Sequence, residues 1–348
     1  MPAHDPSSLI TERGFPAQLC VYARGRVVLD ESYRCQPDSL FILFSAGKPV
    51  VALGVHLLAQ RGKLALDDPV AAYWPEFGQC GKHGITIRHV LQHRGGLPVA
   101  RGMPLDALRM TNWAASVRAI EQAAPAYPPG EVPAYHILTF GFILGEVVQR
   151  VAGRPVRDFL RDELLVPMGL DDDMCLGLPA AWWDRHVPAH GRGPAAFVTQ
   201  LVMNRRATRQ AVIPAASVSA TAAGLAGLYQ ALLDGGRGVL QPETIAAATR
   251  PSSDGMVDRY LKLPIRWSEG FQLGGERPGG ARVGGGYAPM GSLASRQAFG
   301  HNGSYVCLGW ADPERQIAMA YLTSRLVSRA AGARHMSAVS DAVLAAFG

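Results

Sequence analysis

Residues 40–58 read LFILFSAGKPVVALGVHLL, a run in which Lys48 is the only Asp, Glu, Lys or Arg, and the next two residues, Ala59 and Gln60, add no charge. A helix that is apolar on most faces is a buried helix, and a lysine inside it is buried with it. Burial disfavours the ammonium form and lowers the pKa, so an amine that is ordinarily a spent acid becomes an available base. Ser45 stands three residues earlier. In a helical turn that spacing puts both side chains on one face, where the amine can take the hydroxyl proton and activate the oxygen as a nucleophile. Pro49 is compatible, because amides of a first turn lack intrahelical partners. The stretch from Ser45 to Arg61 therefore predicts one buried helix, closed by Gly62. Of the 34 Lys and Arg residues only Lys48, Lys63, Lys82 and Lys262 are lysines, which makes this one worth explaining. The plainer alternative is a serine that caps a helix and a lysine whose stem carries its charge to the surface.

Working outward, residues 17–33, AQLCVYARGRVVLDESY, predict two short strands about an Arg-Gly-Arg turn. Downstream, ITIRHVLQHRGGLP offers Thr86 as a helix N-cap and Gly95-Gly96 as its stop. PPGEVPAYHILTFGFILGEVVQRVAGRPV places Tyr135 at the start of a second buried helix, closed by Gly153 and Pro155. SATAAGLAGLYQALLDGG predicts a third. Glycines crowd between Gly274 and Gly291, an irregular loop that can border a site. QAFGHNGSYVCLGWADPERQIAMAYLTSR alternates apolar and polar residues on both sides of ADPERQ, a hairpin pattern, and a helix follows from Arg334. If the two hairpins share a sheet, residues 1–63 and 291–348 build an α/β domain and residues 64–290 insert as a mainly helical one. Ligand sites favour such junctions.

Two further groups complete a chemical reading. Tyr135 beside Lys48 would ionise or relay protons, acting as base for attack and acid for the leaving group; otherwise it is a packed tyrosine with its hydroxyl at the surface. In FGHNGSY, Gly300 and Gly303 flank His301 on an expected edge strand, where a substrate can approach the backbone closely. The amides of Ser45 and Ser304 would then be the oxyanion donors.

SAGK, YHI and HNG follow the order and approximate spacing of the S-x-x-K, Y-x-N and K-T-G elements of serine β-lactamases. From about residue 17 onward the chain resembles the penicillin-recognising superfamily with the class C β-lactamase fold, and most of all the family VIII carboxylesterases and related acyltransferases. That resemblance implies an antiparallel sheet flanked by helices plus the inserted helical domain. It implies Ser45 as acylated nucleophile, Lys48 as base and Tyr135 as proton shuttle. Its substrate-binding residues would be His136, His301, Asn302 and Gly303. Two departures stand out: Ile137 occupies the third position of Y-x-N, and His301 replaces the lysine of K-T-G. Both remove groups that hold a β-lactam's amide and carboxylate. The expected activity is a carboxylesterase-type hydrolase. The alternatives are an acyltransferase, passing the acyl group to an alcohol or amine, and a catalytically silent penicillin-recognising binding protein, against which the retention of Ser, Lys and Tyr argues.

Other classes fall away. An α/β-hydrolase needs G-x-S-x-G, which is missing. His89 and His93 are four apart, but Val90 follows His89, so H-E-x-x-H is not formed and neither metal nor cofactor is expected. The net charge of +6 is spread without a basic block, which argues against nucleic acid as a partner. Neither a leader pattern nor an uncharged apolar run of spanning length occurs, so no membrane partner and a cytoplasmic location are expected. Cys20, Cys35, Cys80, Cys175 and Cys307 lack C-x-x-C spacing and read as reduced, mostly buried thiols. The partner left is a small-molecule ester or other acyl donor.

Overall fold

The structure, a computed structural model, describes residues 5–275 and 288–348. Most of the Gly274–Gly291 loop lies outside the described residues. The site depends on six strands, β1 (Ala17–Ala23), β2 (Arg26–Tyr33), β3 (Gln272–Leu273), β4 (Phe299–Gly303), β5 (Cys307–Asp312) and β6 (Ile317–Thr323). They form one antiparallel sheet in the order β2-β1-β6-β5-β4-β3. The N-terminal and C-terminal hairpins do pair, with Ala17 opposite Thr323 and Ala23 opposite Ile317.

Strand side chains alternate between faces, and here both faces are covered. Leu19 and Val21 of β1 and Ile317, Met319 and Tyr321 of β6 pack under the C-terminal helix with Met336, Val339 and Val343. Their neighbours Cys20, Ala318, Ala320 and Leu322 face the main core, with Leu225, Leu228 and Leu232 of the helix Ala222–Leu233. That double burial is why β1 and β6 read as almost continuously apolar.

Six helices matter for the site: α1 (Lys48–Gln60), α2 (Met103–Arg109), α3 (Thr139–Ala152), α4 (Pro194–Met203), α5 (Ala222–Leu233) and α6 (Arg329–Phe347). Several expected boundaries move. Ser45 lies in a 3-10 turn, Phe44–Gly47, that runs into α1, rather than in an α-helix starting at Ser45. The helix capped by Thr86 ends at Leu91, before Gly95, with His93 left-handed (φ 57°). Tyr135 is not in α3; it sits in the extended segment before it, because the amides of Ala134, Tyr135 and Ile137 bond to the His93 carbonyl, the Asp258 carboxylate and the Pro98 carbonyl instead of one another. The terminal helix starts at Arg329, capped by Ser328.

The division at residues 63 and 290 is our proposal for the domain organisation. Two pieces of the middle stretch attach to the sheet: β3 pairs with β4, and α5 packs on β1, β5 and β6. Among the described residues no helix is long and apolar enough to cross a membrane.

Candidate active site

The nucleophile turn is held from two sides. A small sheet of Phe41–Ile42, Val218–Ala220 and Met174–Leu176 fixes its entry, where the Leu43 amide donates to the Val218 carbonyl at 2.8 Å. Phe44, immediately before Ser45, is left-handed with φ 49°. A non-glycine residue is held there only by its surroundings, at roughly 1–3 kcal/mol.

Lys48 Nζ donates to Ser45 Oγ at 3.2 Å and to the Ala215 carbonyl at 3.5 Å. Lys48 has no exposure, and burial alone pushes its pKa well below the ordinary 10.5, with no carboxylate to oppose it. Tyr135 packs against both: its hydroxyl is hydrogen-bonded to the Ser45 side chain, and its ring centroid is 4.7 Å from Lys48 Nζ. Burial raises the phenol above its ordinary 10.0, and the Ser45 bond offsets that only in part. The geometry thus brings the three sequence candidates into one hydrogen-bonded group, with an amine that is readily neutral and a phenol that stays protonated.

Sequence reasoning missed what positions Tyr135. Trp267 stacks on its ring, centroids 5.4 Å apart at 11°. Asp258 accepts from the Tyr135 amide at 3.2 Å, from Trp267 Nε1 at 3.2 Å, and from the amides of Tyr260 and Leu261. His93 packs on Tyr135, Phe140 and Trp267, and its Nδ1 accepts the His136 amide. Burial keeps this imidazole well below its ordinary pKa, with His136, Lys48 and His301 adding to the shift. Only the proximity of Tyr135 to a proline-rich loop hinted that its position is fixed by distant residues.

The expected substrate-binding residues behave differently. His136 is fully buried with Nε2 accepting the Leu97 amide at 3.1 Å, so it braces the loop behind the site. His301 is buried 6.2 Å from Tyr135 between ring centroids, its Nδ1 against the Asn302 carbonyl, and burial with Lys48 nearby lowers it to about 3. Asn302 donates from its amide and side chain to Gln272 Oε1, at 3.2 and 2.9 Å, pinning β4 to β3. Among the described residues β3 pairs with β4 only at Phe299 and Gly300, which leaves β4 an edge over its second half. Gly303 is needed for close packing: a Cβ there would collide with the Leu43 carbonyl oxygen and come within 3.0 Å of the Ala46 amide. The missing side chain lets the end of β4 lie directly against the nucleophile turn. Ser304 and Tyr305 then turn the chain with φ 47° and 58°, and Ser304 stays exposed beside the site.

His89 is used locally, its Nδ1 accepting the Thr86 amide at 3.3 Å. Among the described residues no group of three or more His, Cys, Asp or Glu is placed to hold a metal. All five cysteines are free; Cys20, Cys175 and Cys307 are buried, Cys35 half-buried and Cys80 exposed.

A single antiparallel sheet packed between helices, with the serine–lysine turn pressed against the end of β4, makes this an enzyme of the serine-hydrolase type with the β-lactamase and penicillin-binding fold. The chain belongs to the Beta-lactamase family, whose model matches residues 11–342. It is 32% identical to Esterase/beta-lactamase LipL of Mycobacterium tuberculosis over 333 residues, 84% of this chain and 70% of that protein. It superposes on the crystal structure of a family VIII carboxylesterase with TM-score 0.84 and 25% identity, covering 99% of this chain and 98% of the other. A penicillin-binding protein homologue from Caulobacter crescentus gives TM-score 0.79 and 29% identity, covering 98% and 95%.

Proposed function

We propose that the protein is a carboxylesterase-type hydrolase that works through an acyl-enzyme on Ser45. The observation that carries this reading is Lys48 Nζ, fully buried, depressed in pKa by burial alone and 3.2 Å from Ser45 Oγ. Neutral Lys48 takes the Ser45 proton as Oγ attacks the ester carbonyl. The amides of Ser45 and Ser304 stabilise the oxyanion. Tyr135, protonated, gives its proton to the departing alkoxide and is restored by the Lys48 ammonium. The ester R–CO–OR′ thereby becomes Ser45–O–CO–R and R′OH, and water, activated through the same pair, releases R–COOH and regenerates the serine. An alcohol or amine reaching the acyl-enzyme before water would give transfer in place of hydrolysis. The esterase names of LipL and of the family VIII structure support the hydrolytic reading. Five free cysteines support a cytoplasmic setting.

The test is labelling with a fluorophosphonate probe followed by intact mass and peptide mapping. One adduct, on Ser45, and none in Ser45→Ala is the expected result. An adduct elsewhere, or undiminished esterase activity in Ser45→Ala, overturns the assignment.

A further inference from the structure

Beside Ser45 and Ser304 the fold leaves a cavity of about 260 Å³. Its walls are Met103, Ala107 and Met110 from and just after α2, and Val198, Val202 and Met203 from α4. Among the described residues no charged side chain lines it, and Ser45, Thr199 and Ser304 are its only polar ones. We infer that this cavity is an acyl-chain site, which makes the preferred donor an ester of a medium-chain, apolar acid of about eight to ten carbons.

Three observations carry this inference, which rests on the acyl-enzyme reading above. The first is composition: a cavity walled by methionine, valine and alanine cannot satisfy a polar or charged group, whose burial without a partner is costly. The second is size. A cavity of about 150 Å³ holds a six-carbon benzene ring, so the volume here accommodates roughly ten carbons. The third is direction. The departing oxygen must lie within hydrogen-bond reach of the group that protonates it, yet neither Tyr135 nor Lys48 lines the cavity, whereas Ser45 and Ser304 do. The alcohol therefore leaves on the Tyr135 side, and the acyl chain is the part that enters between α2 and α4. Val198 lines the cavity and is 59% exposed, so it marks the mouth. Carbons beyond about the tenth emerge past it into water and gain nothing.

The experiment measures kcat/KM for 4-nitrophenyl acetate, butyrate, octanoate, decanoate and tetradecanoate below their aggregation concentrations. Full burial would raise efficiency about fourfold per methylene. The expected result is at least a tenfold rise from butyrate to decanoate and no further rise at tetradecanoate. Ala107→Phe and Val202→Phe, which fill the cavity from opposite walls, should each cut the decanoate-to-butyrate ratio at least tenfold. Melting curves and Ser45 labelling by a small fluorophosphonate report that each variant is folded with an accessible nucleophile. A wild-type ratio at or below one, or a ratio that neither filling variant moves, overturns the inference while ester turnover leaves the function standing. A chain-length preference on the alcohol side, in a series of alkyl acetates, also overturns it. Failure to turn over any ester or to label Ser45 refutes the proposed function itself.

Discussion

Gly303→Ala adds one methyl group, and the structure says where it goes. The new Cβ lands on the Leu43 carbonyl oxygen and within 3.0 Å of the Ala46 amide, two groups that flank Ser45. Neither obstacle is the loose end of a side chain; both are backbone held in the nucleophile turn, so β4 and that turn must separate by about 1 Å, a displacement that costs about a hundredfold when it falls on reacting groups. The atoms displaced include the Ser304 amide, the residue immediately after Gly303. In the proposed mechanism that amide is an oxyanion donor, and weakening one such donor costs about 10²–10³ in rate. Overpacking of this kind costs about 1–3 kcal/mol in stability, which a chain with so large a core survives. The expected result is a fall in kcat on 4-nitrophenyl butyrate of at least a hundredfold, with a folded circular-dichroism spectrum and a melting temperature lowered by only a few degrees. Gly84→Ala is the control, since a Cβ there has nothing within 4 Å. If folded Gly303→Ala keeps more than a fifth of the wild-type kcat, the close approach of β4 to the turn does not set the oxyanion site.

Activity should rise with pH as Lys48 loses its proton, at a pH well below 10.5, and stay level to about pH 10 because burial holds Tyr135 protonated; a kcat/KM profile that falls between about pH 8 and 9 would contradict the relay. Lys48→Met should abolish turnover and raise the melting temperature at pH 7. Above its lowered pKa the folded lysine has released a proton that the unfolded chain still binds, so wild-type stability climbs with pH and the gap between the two closes toward 10.5; equal melting temperatures at pH 7 would refute the buried-base argument. Nitrocefin should be a far poorer substrate than 4-nitrophenyl butyrate at pH 7.5, because His301, lowered to about 3, carries no charge for a β-lactam carboxylate; comparable efficiencies would restore a β-lactamase reading.

The sheet, its two hairpins and the Ser45–Lys48 pair were legible because their evidence is local: alternation for strands, an uncharged run for the buried turn, a three-residue spacing for the pair. Tyr135 was found through its surrounding motif, but its helix was placed four residues early, since nothing nearby in sequence reveals that its amide is taken by Asp258. Trp267, Asp258 and His93 were missed for the same reason, each meeting Tyr135 only through tertiary packing. The backbone contacts of His136 and Gly303 were not legible either; a short motif records that a residue is special without recording which neighbour makes it so. Phe44 gave no sign at all, because its left-handed backbone is imposed by the parts around it.

The pairing of Ala17 with Thr323 carries a consequence for how the molecule comes into being. It closes a loop of roughly 300 residues, at about 5 kcal/mol of chain entropy. Ser45 and Ser304 lie near opposite ends of that loop, so a ribosome has made the serine long before it makes the strand beside it. At about 5–20 residues per second the wait is tens of seconds. Through that interval the nascent chain holds the apolar strand β1 with one edge lacking its β6 partner, a natural client for chaperones and the point at which aggregation competes with folding. The sheet is thus incomplete until translation has passed Thr323, and conditions that slow elongation should lower the protein's yield before they alter its activity.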